Sequence, residues 1–280
     1  MNILVESGAT KSTCIGYNDA CTFFHYKTTG INATYAPKEK IIDIFKEIIA
    51  KNNIVVAEIE NIHYYGAGCF KPDNAAKVKE ALSCLFPKTN ITVLSDLHAT
   101  CLALCNSQKG FSGILGTGSA SCFYDGENII DKAPSLGFLI GDEGSGTHIG
   151  KLFVKEYLTD NLDPDIAQNF EDTFMFSKTI VFTKMYQEEN PQAFFASIPP
   201  FLQKHIDNKQ IKKIIANSFQ DFFDKQIDYY GKFPYPWFFC GSIAYFFQDI
   251  LIKTARKNSI KIEKIIQECA PALLYNTLNY

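Results

Sequence analysis

Apolar residues at the start of the chain come in short runs broken by turn formers. Ile3–Val5, Cys14–Tyr17 and Cys21–Tyr26 are β-prone and are separated by turns containing Gly8 and Asp19, which predicts a three-stranded meander. The period then lengthens. Ile41, Ile42, Ile44, Phe45, Ile48 and Ile49 recur at helical spacing between Pro37 and Asn53, so a helix is expected there. Asn61–Tyr65 reads as a strand ending in Gly66-Ala67-Gly68, and Pro72–Phe86 as a helix with Val78, Ala81, Leu82 and Leu85 on one side. Ile91–Leu94 is again strand-like and ends in Ser95-Asp96, after which Leu97–Cys105 is helical. The order is β-β-β-α-β-α-β-α.

A similar order restarts beyond Gly110. Gly113–Leu115, Ser119–Tyr124 and Asn128–Ile130 form a second meander, with turns at Gly116-Thr117-Gly118 and Asp125-Gly126. The glycine-rich stretch 141–146 leads into a helix expected over Thr147–Leu158, and a long Phe- and Lys-rich helical region runs from about Asp165 to Tyr230. Trp237–Cys240 reads as a strand and Ile243–Lys257 as a helix; Ile260–Ile266 fits strand or helix equally, and a last helix follows Pro271. The pattern predicts an α/β protein with a duplicated plan and a helical insertion in the second copy. The expected domains are 1–107 and 108–280, with the C-terminal helix able to pack back on the first and a cleft between the halves.

Composition narrows the classes. Hydrophobic residues at 46% and charged residues at 20% are those of a folded globular chain. A net charge of -3 with no basic stripe argues against a nucleic-acid surface. No apolar run approaches the roughly 20 residues that span a bilayer, and the N-terminal sequence lacks a basic region and cleavage site, so neither a membrane span nor a signal peptide is expected. Nine scattered cysteines without a C-x-x-C pair suggest reduced thiols in the cytoplasm. Cys101 and Cys105 share a helix face as buried thiols.

Both meanders carry the same kind of turn: Glu6-Ser7-Gly8-Ala9-Thr10-Lys11-Ser12-Thr13 in the first and Gly116-Thr117-Gly118-Ser119 in the second. Glycine lets backbone N–H groups converge on an anion, hydroxyls add donors, and Lys11 adds charge. Equivalent placement in two halves suggests one polyphosphate gripped by both, and neither turn is a P-loop. Asp96 suits two roles, an N-cap of the following helix or a base accepting a proton from an attacking hydroxyl. Asp142 and Glu143 sit among glycines, where capping would employ one carboxylate and leave the other for sugar hydroxyls or a metal. Glu6 could reach Mg²⁺ directly or through water, or serve the turn alone. Cys240-Gly241-Ser242 opens a helix after an apolar strand, a place where part of a nucleotide can lie on backbone. His63, His98 and the phenylalanines from Phe170 to Phe247 read as structural.

Together, E-S-G-A-T-K-S-T, Y-G-A-G-C, L-G-T-G-S, L-G-F-L-I-G-D-E-G-S-G-T-H-I-G and C-G-S-I-A resemble the N-acetylglucosamine kinase-like branch of the BadF/BadG/BcrA/BcrD ATPase family, within the actin/hexokinase/Hsp70 superfamily. The resemblance runs through nearly the whole chain. It implies two RNase H-like (actin-like ATPase) domains about an ATP cleft, and an ATP- and Mg²⁺-dependent kinase of an amino sugar. By position, it implies that Gly8, Thr10, Lys11 and Ser12 hold phosphate, with Gly116, Thr117 and Gly118 opposite and Gly241 and Ser242 at the adenosine. Asp96 would be the base at the sugar's 6-hydroxyl, and Asn32, Gly68, Ser119 and Asp142 would contact the sugar. No nucleic-acid or membrane partner is implied, and a homodimer is left open. Three features depart from the family pattern: Glu6 replaces the superfamily's usual Asp, Ala120 stands where many relatives have an Asn that reads the N-acetyl group, and P-A-L-L-Y-N replaces the usual P-x-E-G-L ending. Within the family, an ATPase activator of a dehydratase or reductase, carrying an iron–sulfur cluster, is one alternative. A non-catalytic nucleotide- or sugar-binding regulator is another.

Overall fold

The computed structural model describes residues 1–188, 190–232 and 234–279, which form two compact units, Met1–Gln108 with Glu268–Tyr280 and Lys109–Gln267. The first unit contains β1 (Asn2–Ser7), β2 (Lys11–Tyr17), β3 (Thr22–Thr29), α1 (Lys38–Lys51), β4 (Asn61–Gly66), α2 (Pro72–Leu85), β5 (Asn90–Ser95) and α3 (Asp96–Leu104). The sheet order is β3-β2-β1-β4-β5. The β1–β2 and β2–β3 pairs are antiparallel, whereas β1–β4 and β4–β5 are parallel. The central position of β1 explains its unbroken Ile3-Leu4-Val5 run, because both faces of such a strand are covered. Ile3 and Val5 join the buried cluster with Ile41, Phe45, Val78 and Leu82 of α1 and α2, and Leu4, on the alternate face, is buried as well. β3 lies at the edge and alternates between exposed and half-buried, carrying His25 and Lys27 outward.

The second unit begins with β6 (Gly110–Leu115), β7 (Ser119–Tyr124) and β8 (Ile129–Lys132), then a short α4 (Gly137–Ile140) and α5 (Gly146–Leu158). The expected helical insertion is a string of segments: α6 (Pro164–Phe174), α7 (Lys178–Tyr186), α8 (Pro191–Ala196), α9 (Pro199–Lys204) and α10 (Lys209–Tyr230). Then come β9 (Trp237–Cys240), α11 (Ser242–Phe246), α12 (Gln248–Lys257) and β10 (Ile262–Ile266), while α13 (Ala270–Asn279) belongs to the first unit. The sheet order is β10-β9-β6-β7-β8, with β9 parallel to both β6 and β10. The fold class read from the pattern, an α/β protein with two mixed sheets and a helical insertion in the second copy, is therefore what the chain adopts.

Most of the phenylalanine-rich run is core, whereas Phe182 and Phe246 are exposed. α10 starts at Asn208, whose side chain accepts the N–H groups of Gln210 and Ile211, and it buries Ile211, Ile214, Ile215, Phe219, Phe222 and Phe223 along one stripe. Phe153, Phe170 and Phe201 meet edge to face with centroids 5.0 to 5.9 Å apart. The expected single helix over Ile243–Lys257 is instead two, meeting at Phe247. Ile260–Ile266, which fitted either element, yields an edge strand with a bulge between Ile262 and Lys264.

Candidate functional site

In the first unit, the carboxyl ends of the parallel strands β1, β4 and β5 lie side by side, as the register Ser7↔Gly66↔Ser95 requires. This is the edge at which open α/β sheets present ligand-binding loops. The β1–β2 turn closes through Gly8 N–H to Lys11 O at 2.9 Å, and Thr10 O accepts Gly30 N–H at 2.9 Å. Ser12 is buried, with its Oγ 2.6 Å from Ser7 Oγ, and Ser7 Oγ in turn accepts Ile31 N–H at 3.0 Å. Ser12 thus shapes the turn from within, while Gly8 is half-buried and Thr10 and Lys11 are exposed. Lys11 Nζ lies 2.8 Å from Glu268 Oε1. Asn32 folds its Oδ1 onto Thr34 N–H at 3.0 Å in an Asx turn. A Cβ on Gly68 would lie 2.6 Å from that same Oδ1, so the two predicted sugar-contacting residues are neighbours.

Asp96 is the first residue of α3, but it does not cap the helix. Ser95 does, accepting His98 N–H, and Asp96 Oδ1 accepts Leu97 N–H at 3.0 Å. Of the two roles legible for Asp96, the capping one is taken by its neighbour. Its negative charge in the first turn remains favourable to the helix dipole. His98 is structural as expected: Nδ1 is 2.8 Å from Ser95 Oγ, the ring stacks on Phe70, and burial pushes its pKa down. Glu6, at the end of β1, accepts Ala270 N–H on Oε2 at 2.6 Å. Burial raises its carboxyl above the ordinary range, against the opposing pull of the Cys269 and Ala270 N–H groups.

In the second unit, three predicted segments meet. β6 and β9 are parallel and end together, with Ile114 opposite Cys240, so the Gly116–Gly118 turn and Gly241 leave the sheet side by side. Gly241 has φ +120°, and a Cβ there would lie 2.3 Å from Leu115 O; only glycine lets this turn lie against β6. Gly116 is the opposite case, since a Cβ would meet nothing within 4 Å. The glycine-rich loop 141–146 is bolted to the turn by Gly146 N–H to Gly116 O at 2.8 Å and by Thr147 Oγ1 to Thr117 O at 2.6 Å. Ser145 caps α5, so neither acid of the loop is needed there.

Asp142 is buried with φ 60° and accepts the Ser119 N–H, and a Cβ on Gly118 would lie 2.9 Å from its Oδ2. Desolvation raises its carboxyl above the ordinary range, although the Ser119 N–H, Lys151 and Lys225 pull the other way. Glu143 pairs with Lys225 of α10 at 2.7 Å and is held low by that lysine against its own desolvation. His148 Nδ1 lies 2.8 Å from Ser218 Oγ, and burial pushes its pKa down to about 4, so it is neutral at pH 7. Lys225, Ser218 and Lys151 escaped the sequence reading. The available signal was weak: Ser218 lies on the buried, Phe-rich face of α10, where a hydroxyl needs a polar partner.

The state of Asp142 has a testable consequence. A carboxyl whose folded pKa is raised stabilises the fold fully below its unfolded pKa, and that contribution is lost as pH rises through the folded value. At pH 7, Asp142 is therefore a net burden on stability. Asn at φ 60° is tolerated and can still accept the Ser119 N–H. Asp142→Asn is expected to melt higher than wild type at pH 7, by roughly 2–4 °C per kcal/mol recovered, and the gain should vanish below the ordinary Asp value of 3.8. Thermal melts at several pH values check this; a lower Tm at pH 7 contradicts it.

No protein-family model matches the chain, and no curated protein does. Among solved structures, it is similar over 100% of its length to a "Putative N-acetylglucosamine Kinase" from Porphyromonas gingivalis, covering 99% of that chain at TM-score 0.94 and 28% identity. A "Putative N-acetylglucosamine Kinase" from Chromobacterium violaceum gives TM-score 0.74 at 15% identity, each chain being 98% covered. MreB5 of Spiroplasma citri bound to ADP gives TM-score 0.58 at 11% identity, with 99% of this chain and 94% of that one covered. The last two likenesses show the fold, that of the actin-like ATPases. The resemblance read from the motifs is borne out.

Proposed function

We propose, for a chain that has the actin-like ATPase fold and is similar from end to end to an N-acetylglucosamine kinase-like protein, that it is a sugar kinase. It would transfer the γ-phosphoryl group of ATP to the 6-hydroxyl of N-acetylglucosamine or a related amino sugar. The observation that carries this reading is the meeting, at the carboxyl ends of β6 and β9, of three features: an open-sided glycine turn, a glycine pressed onto backbone, and a buried carboxylate on a loop bolted to that turn.

The chain's part is positioning and electrostatics. Thr117 and Gly118 offer phosphate oxygens backbone N–H groups and the Thr117 hydroxyl, while Gly116, whose own N–H donates to Gly118 O at 3.0 Å, closes the turn and leaves the space beside it open. Gly8, Thr10 and Lys11 serve phosphate from the first unit; Ser12 supports that turn. Gly241 and Ser242 take the adenosine. Ser119 and Asp142 of the second unit and Asn32 and Gly68 of the first are the proposed sugar positions, the buried Asp142 accepting a hydrogen bond from a sugar hydroxyl. Asp96 takes the proton of the 6-hydroxyl as its oxygen bonds to the γ-phosphorus, while the bond to the bridging oxygen breaks and ADP leaves. Mg²⁺, when bound, neutralises phosphate charge. With Oε2 of Glu6 committed to Ala270 N–H, Glu6 fits a role behind a water better than direct ligation by both oxygens.

ADP release with N-acetylglucosamine, N-acetylmuramic acid, N-acetylmannosamine, glucosamine and glucose tests the reading. Release is expected with at least one N-acetyl sugar. Silence with all five overturns the amino-sugar kinase reading and favours a non-catalytic regulator. Ala120 has no amide for the acetyl group, so discrimination between N-acetylglucosamine and glucosamine is expected to stay within about 10²-fold, short of the 10⁴ or more of sites that hydrogen-bond such a group.

A further inference from the structure

We propose that Glu268 is a built-in stand-in for phosphate on Lys11 and Lys27, and that a phosphate reaching Lys11 displaces it and loosens α13 from α3. The proposal rests on the reading of Lys11 as a phosphate ligand. Glu268 is 15% exposed, and its Oε1 lies 2.8 Å from Lys11 Nζ and 3.0 Å from Lys27 Nζ, with Lys27 also 3.0 Å from Oε2. The two lysines, on neighbouring strands β2 and β3, hold this carboxyl below the ordinary range against its own desolvation. Two ammonium groups converging on one pair of oxygens make an anion seat, here filled by the chain itself. Lysine is a point charge on a flexible stem with three rotatable donors, so exchanging a carboxylate for a phosphate demands no rebuilding.

What gives the exchange a consequence is the place of Glu268 in the chain. It lies two residues before the first residue of α13, and the next two residues are further anchors of the helix. Ala270 N–H donates to Glu6 on β1, and Cys269 Sγ lies 3.6 Å from Thr100 Oγ1 of α3. Further along, Asn276 Nδ2 donates to Leu102 O of α3 at 2.8 Å. The helix therefore ties the phosphate lysine to α3, whose first residue is Asp96. When phosphate takes Lys11, Glu268 is left on Lys27 alone, and the start of α13 loses one of its holds. Occupancy at the first turn would thus be felt at the helix that carries the proposed base.

The test uses the full chain and the non-hydrolysable imido analogue of ATP. Calorimetric titration of wild type and Glu268→Gln is combined with amide hydrogen exchange across α13. Glu268→Gln is expected to bind the analogue about three- to tenfold more tightly, the low end of coupling because both lysines are half-exposed. In wild type, the analogue is expected to speed exchange in α13, whereas in Glu268→Gln exchange is fast with and without it. Equal affinity and α13 exchange indifferent to nucleotide overturn the proposal while leaving nucleotide binding intact. If wild type does not bind the analogue at all, the kinase reading falls and this proposal with it. Should the variant not fold, the wild-type exchange measurement decides alone.

Discussion

Asp96→Asn is expected to reduce phosphoryl transfer by about 10³-fold, within the usual range for losing a general base, while the protein folds and binds ATP as before. The structure separates these effects. Ser95 caps α3, so the substitution leaves the helix start in place, and an Asn Oδ1 can still accept Leu97 N–H. What disappears is one negative charge in the first turn, worth about 0.3–1 kcal/mol of dipole interaction, together with the group that accepts a proton. A melting temperature within a few degrees of wild type, unchanged nucleotide affinity and a collapsed kcat form the expected result. Turnover within tenfold of wild type would remove Asp96 from the base role. A large loss of stability would mean that its place is structural after all.

The same helix start illustrates what could be read from the chain. Ser95-Asp96 at the end of an apolar run announces a strand-to-helix junction, and the junction is there. The sequence could not say which of the two residues caps, because both types favour that position; backbone geometry decides it. The meanders were legible for a similar reason: their turns use glycine and Asp where the chain must reverse. The break at Phe247 was invisible, since neither glycine nor proline marks it. The strand at Ile262–Ile266 was ambiguous because its bulge sets Ile262, Ile265 and Ile266 off a strict alternation.

Long-range electrostatics was the least legible layer. Glu143 and Lys225 are 82 residues apart, and Lys11 and Glu268 are 257 apart. No local pattern in one chain pairs such residues, because periodicity reports which face a residue occupies and not what it meets across the core. Glycine-rich segments were easier to place. Their composition signals close approach to something, and the fold determines whether that something is backbone or open space.

Gly241 and Gly116 put that distinction to a test, and their variants are expected to fail in opposite ways. Gly241→Ala must place a Cβ at φ +120°, 2.3 Å from Leu115 O and 2.7 Å from Leu115 C. Both atoms are backbone at the end of a central strand and cannot step aside as a side chain would. The strain of the conformation, about 1–3 kcal/mol, adds to an overpacking penalty of about 1–3 kcal/mol. A fall in Tm of roughly 4–24 °C is expected at about 2–4 °C per kcal/mol, with nucleotide binding lost as the turn moves. At Gly116 the new methyl meets nothing within 4 Å, and no left-handed φ stands in its way. Gly116→Ala should therefore melt with wild type and yet bind ATP more weakly by tenfold or more, because the methyl enters the space assigned to phosphate. Thermal melts paired with nucleotide titrations read both variants. If Gly116→Ala binds ATP as wild type does, that space is not where the phosphates lie, whatever the turn's composition suggests.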